Sequence, residues 1–170
     1  MAEAEPLPDR LVRALSLDAR VYAEVAAREE DTGLALQVVL VACTLEAASA
    51  LATGGWPGFF GQLATGTARF ALWVMALFVL APLAGRAVPF APLFRAAGLA
   101  AAPLALGLFQ TVPWVGGLFW LGKWVFTIAA TWTAVGSLVG RRDARVAGVV
   151  LVALLAAWLA HTPLLALTRG

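Results

Sequence analysis

The stretch Leu34–Thr53, LALQVVLVACTLEAASALAT, decides the fold. Its 20 residues carry one charge, Glu46, and neither proline nor glycine. A helix rises about 1.5 Å per residue, so such a run covers the ~30 Å of a bilayer's hydrocarbon core. It predicts a membrane-crossing helix. Further runs of the same kind extend over Arg69–Gly85, Arg95–Thr111, Gly117–Val139 and Val146–Leu167. Pro103 interrupts the third run and predicts a kink or tilt. The expected fold is an all-α integral membrane protein: residues 1–31 form a cytoplasmic amphipathic helical segment, and residues 32–170 a domain of five transmembrane helices.

Composition points the same way. The chain is 62% hydrophobic and 13% charged, with a mean hydropathy of +0.87. A soluble domain this apolar could not cover its own surface. The formal charge is only +2, and eight of the ten acids lie in the first 31 residues beside four arginines. No basic stripe exists for a nucleic acid.

The cations follow the topology. Arg10, Arg13, Arg20 and Arg28 precede the first run, Arg86 and Arg95 flank the second gap, and Arg141, Arg142 and Arg145 sit in a third. The alternate segments hold only Arg69 and Arg169. Short loops rich in Lys and Arg stay cytoplasmic, so the N-terminus is expected inside and the C-terminus outside. Residues 1–31 lack the basic, apolar and small-residue regions of a signal peptide, and the first span is expected to act as an uncleaved signal. Eleven arginines against one lysine suit a GC-rich bacterial genome and a bacterial inner membrane.

The N-terminal segment reads as two amphipathic helices. Pro8-Asp9-Arg10 opens one bearing Leu11, Val12 and Leu15; Ser16 or Asp18 caps another bearing Val21, Tyr22 and Val25 on one face. Mixed charge favours docking onto protein over anionic lipid. Glu29-Glu30-Asp31 is expected to cap the first span. The stretch Gly54–Ala68, GGWPGFFGQLATGTA, reads as an interfacial loop or short re-entrant piece.

Three ionisable side chains fall inside the apolar runs: Glu46, Lys123 and His161. Charges there usually face the bundle interior. Counted from the expected outer span ends, all three lie ~9–11 Å deep. Gln110 and Gln62 can join the layer. The sharper expectation is a Glu46–Lys123 ion pair lining an outward cavity; the plainer one is a pair that only fixes helix register, with Lys123 snorkelling outward. His161 precedes Thr162-Pro163, where a bend is expected; it is more simply a helix contact than a ligand for a metal or a tetrapyrrole magnesium. Cys43 is the only cysteine, which excludes an intramolecular disulfide. No metal site and no cofactor are expected, with lipid or pigment contact left open.

Seven tryptophans stand out in a chain this short. Trp56, Trp114, Trp120 and Trp124 read as interfacial aromatics, whereas Trp73, Trp132 and Trp158 lie deeper. There is no phosphate loop, nucleophile elbow or dinucleotide fingerprint, and one histidine with one intramembrane acid makes no catalytic triad. An enzyme is not expected.

The run Arg13–Ala26 (RALSLDARVYAEVA) before LALQVVLVACTLEAASA, with LFRAAGLAAAPLALGLF, the Val112-Pro113-Trp114 turn and GGLFWLGKWVF, resembles bacterial members of the YIP (Ypt-interacting protein) domain family. The likeness is one of pattern and covers most of the chain. It implies a cytoplasmic N-terminal segment followed by five membrane helices. The Asp-Leu-Tyr-Gly-Pro motif of eukaryotic members has no counterpart, because Ala23 and Glu24 follow Val21-Tyr22; their trafficking role does not carry over. The expected function is a non-enzymatic accessory or scaffolding subunit of a membrane complex, among lipids and other integral subunits. The alternatives are a small transporter or channel using the Glu46/Lys123/His161 layer, or a lipid- or cofactor-binding protein.

Overall fold

The computed structural model describes residues 6–167, with side chains through Ala160. Its regular elements are helical: α1 (Leu7–Leu15), α2 (Ala19–Ala27), α3 (Asp31–Ala48), α4 (Leu51–Leu80), α5 (Phe90–Ala100), α6 (Gly116–Val139) and α7 (Ala144–Leu167). Two 3-10 segments, Ala81–Ala84 and Ala102–Phe109, extend α4 and α5. Among the described residues four stretches are long and apolar enough to cross a membrane: Asp31–Ala48, Leu51–Ala84, Phe90–Phe109 and Gly116–Val139. Within α7, Ala144–Ala160 adds a shorter apolar stretch. Leu36, Val41, Val79, Leu118 and Val125 point outward, as helices facing lipid require.

The N-terminal helices dock into the bundle. Two prolines and Asp9 suit the first turn of α1. Leu17 then adopts φ 60° to turn the chain, and Asp18 caps α2 by accepting the Arg20 backbone N–H at 2.9 Å. Val21, Tyr22, Val25 and Ala26 pack on Ala96, Leu99 and Ala100 of α5 and on Ala130 and Ala134 of α6. Alanines on those faces let the helices approach closely. The Tyr22 hydroxyl donates to Ala14 O at 2.9 Å, and burial raises its pKa, so it stays a donor.

Two expectations for this region change. Helix α1 turns Ala14, Leu11 and, unexpectedly, Arg10 inward, Arg10 donating to Asp31 at 2.7 Å. Val12 and Leu15 are therefore exposed together with Leu7, a face suited to a membrane interface. Of the acids expected to cap α3, Asp31 stands in its first turn but gives Oδ1 to Arg10, and Glu30 makes no capping hydrogen bond.

Arg95 does not flank a loop. It lies inside α5, buried, and donates Nε and Nη2 to Ala26 O at 3.0 and 2.6 Å. Nη1 reaches Thr32 Oγ1 at 3.3 Å. A guanidinium is stabilised there because the last carbonyls of α2 are unpaired and carry the negative end of its dipole. The third span accordingly begins at Phe90, not Arg95.

The stretch Gly54–Ala68, expected as an interfacial loop or a short re-entrant piece, is part of a long helix. Gly55 takes φ 57° and ψ −153°, a conformation open chiefly to glycine, and breaks α4 once. The helix then resumes with Pro57 in its first turn, where a missing N–H costs nothing, and runs on to Leu80. Glycines beyond the break are tolerated in an apolar helix that packs on neighbours, so composition misled here. The second span is correspondingly longer than Arg69–Gly85.

At Pro103 the third span changes from α to 3-10, the physical form of the expected kink. Gly140, at φ 81°, closes α6. Asp143 then caps α7 by accepting the N–H groups of Arg145 and Val146 at 3.1 and 3.2 Å. The expectations for His161 and the bend at Pro163 lie outside the described side chains.

Candidate functional site

Glu46, two residues before the end of α3, is the centre of the site and only 1% exposed. Lys123 Nζ of α6 donates to its Oε1 at 2.6 Å. Arg69 of α4 donates Nη2 to both carboxylate oxygens, at 3.1 and 2.9 Å. The carboxylate is thus clasped by two cations from two helices. A buried carboxylate needs such partners, because desolvation otherwise favours its neutral form.

A polar chain extends from this centre. Lys123 Nζ also donates to Gln110 Oε1 at 3.0 Å, Gln110 Nε2 donates to Ser49 Oγ at 2.8 Å, and Ser49 Oγ donates to Glu46 O at 2.7 Å. The ring of Trp124 lies 5.3 Å from the Arg69 guanidinium carbon and 5.5 Å from Lys123 Nζ, within range for cation–π attraction to both. The 3-10 segment reaches the carboxylate because Gly107 has no side chain in the way.

The cluster closes one end of a cavity of about 590 Å³ between α4, α6 and α7. Arg69, Lys123, Gln62 and Gln110 supply polar groups to its wall. Trp120, Trp158, Leu151 and Leu155 supply apolar surface. Trp73 and Thr127 also line it, and both are nearly inaccessible. Trp73 Nε1 and Thr127 Oγ1 have no hydrogen-bond partner among the described residues. Such orphaned groups are uncommon in folded proteins.

The structure therefore joins Glu46, Lys123 and Gln110, and places Trp120 and Trp124 on the cavity. Trp56 and Trp114 stand apart from it, both highly exposed; Trp114 takes φ 68° in the turn before α6. Sequence reasoning missed Arg69 as a partner of Glu46. The signal was its position as the one cation between the first two spans. Ser49 was missed as well. Among the described residues no group of three His, Cys, Asp or Glu side chains could hold a metal ion. The donors and apolar walls suit reversible binding of an amphiphile.

No family model, curated protein or solved structure matches the chain.

Proposed function

We propose that this chain is a five-span protein of the bacterial cytoplasmic membrane, N-terminus inside and C-terminus outside, that holds an amphiphilic molecule in the cavity between α4, α6 and α7. The cavity carries the conclusion: it joins a polar end at Glu46, Lys123 and Arg69 to a wall of Trp120, Trp158 and leucines. Membrane lipids and molecules like them have the same two parts. The orientation rests on the arginine distribution. Arg86 and Arg141–Arg145 lie at one end of the bundle, Gly85 packing close to Arg141, and the Glu46 cluster lies toward the other.

The scaffolding role expected from composition rests on outward apolar faces that any lipid-facing bundle carries. The transport reading needs a carboxylate free to exchange a proton, whereas Glu46 has both oxygens engaged by cations. The holding role uses no catalytic group.

Native mass spectrometry of the full chain, released from its own membrane in mild detergent, tests this reading. The expected result is a discrete added mass, one molecule per chain, that survives exchange into fresh detergent. A bare chain that takes up no lipid saturably would overturn it.

A further inference from the structure

We infer that the amphiphile is anionic, its phosphate or carboxylate headgroup seated on Arg69 beside Lys123 and its chain lying along the tryptophan and leucine wall. This deepens the amphiphile reading and rests on it.

Charge is the first argument. Two cations face one carboxylate, so the cluster carries a formal excess of one positive charge inside an apolar bundle. An unbalanced charge there is costly, and an incoming anion relieves it. A cationic headgroup would meet two cations and a carboxylate whose oxygens both already accept from them, leaving it only the neutral amide of Gln62.

Donor geometry is the second. Arg69 spends only Nη2 on Glu46, which leaves Nε and Nη1 without partners among the described residues. Its side chain keeps 17% exposure and lines the cavity. Nε and Nη1 lie on different edges of the guanidinium, so each can give a phosphate or carboxylate oxygen one charge-assisted N–H.

The orphaned groups are the third and are independent of the cations. Trp73 Nε1 can only donate, and Thr127 Oγ1 can donate or accept. Both belong to residues of the same cavity and lack partners. Both atoms are closed to a water-sized probe, so a ligand oxygen reaches them only as the wall side chains shift on binding, and their unpaired burial favours that shift. Headgroup and ester oxygens are acceptors of that kind.

The test is a titration of the full chain in neutral detergent, read by tryptophan fluorescence. The probes are dioctanoyl phosphatidic acid, dioctanoyl glycerol, dioctanoyl phosphatidylcholine and inorganic phosphate. Phosphatidic acid is expected to bind saturably and about ten-fold or more tighter than dioctanoyl glycerol, one charge-assisted contact being enough for that ratio. Arg69→Gln should erase the preference while leaving the weaker binding of dioctanoyl glycerol. Trp73→Phe keeps an aromatic ring and removes the orphaned donor; it should weaken phosphatidic acid several-fold without lowering the melting temperature, and it carries the test if Arg69→Gln does not fold. Equal affinity for phosphatidic acid and dioctanoyl glycerol overturns the anionic headgroup and leaves the amphiphile reading standing. Tighter binding of phosphatidylcholine also overturns it. Inorganic phosphate binding as tightly as phosphatidic acid overturns the lipid source in favour of a free anion. No saturable binding of any lipid overturns both readings.

Discussion

A Cβ built on Gly107 would lie 2.7 Å from Cγ of Glu46 and 3.1 Å from its Cβ. The third span thus meets α3 with nothing but backbone at the point where the buried carboxylate stands. Gly107→Ala would force the two elements apart or displace Glu46 from Lys123. Overpacking of this kind costs about 1–3 kcal/mol. Gly117→Ala in α6 meets open space and should be neutral or mildly stabilising, since alanine favours helix. Thermal unfolding in detergent, followed by circular dichroism, compares the two variants. Equal stability would show that the approach at Gly107 is not tight.

Glu46 has two cationic partners, and each cation relies on Glu46. Glu46→Gln leaves Lys123 and Arg69 beside each other without a counter-charge and should cost about 3–5 kcal/mol. Lys123→Met leaves Glu46 still bonded to Arg69 and should cost less. The double variant should be at least ~1 kcal/mol more stable than the sum of the single losses implies. Denaturation in mixed micelles measures all three. Simple additivity would mean that the 2.6 Å contact carries no net coupling.

Arg95 holds α2 through two donors on Ala26 O and ties α3 through a third on Thr32. Lysine cannot reproduce the paired bonds to Ala26 O, so Arg95→Lys should cost about 1.5–3 kcal/mol, the worth of hydrogen bonds to a charged group. The loss should appear as easier release of α1 and α2, read as faster protease cleavage between α2 and α3 while the rest of the chain stays protected. Unchanged cleavage would show that packing of Val21, Tyr22 and Val25 suffices alone.

Asp18 gives the N-terminal segment an acid dependence. The backbone N–H of Arg20, then the guanidinium of Arg13, hold its carboxyl below the ordinary value of 3.8. A lowered folded-state pKa means a contribution complete above the unfolded value and lost as pH falls through the folded one. Docking of α2 should therefore be flat from neutral pH down to about the ordinary carboxylate range, and weaken below it. Asp18→Asn should remove that part of the acid response, as followed by hydrogen exchange of the α2 amides. An identical acid response in the variant would assign it to other carboxylates.

Much of the site was legible because a helix has a fixed rise. Placing Glu46 and Lys123 at matched depth from their span ends was enough to expect contact between α3 and α6, and Gln110 followed from the same count. Arg69 was not legible, because the glycines of Gly54–Ala68 suggested a loop and put it at a span edge. One glycine break followed by proline in a first turn keeps the remainder helical and carries Arg69 inward. Arg95 misled similarly: a cation near a span end resembles a loop marker until the carbonyls of α2 are seen above it. The orphaned atoms of Trp73 and Thr127 depend on which neighbours the fold brings near, and no local pattern encodes that.

On the proposed reading, the cavity between α4, α6 and α7 receives an amphiphile from the bilayer. Diffraction from crystals of the full chain grown in a lipid mesophase tests it most directly. Elongated density is expected along Trp120, Leu155 and Trp158, with its polar end within hydrogen-bonding reach of Arg69. Helices α4 and α6 closed against each other, or a cavity holding only ordered water, would contradict it.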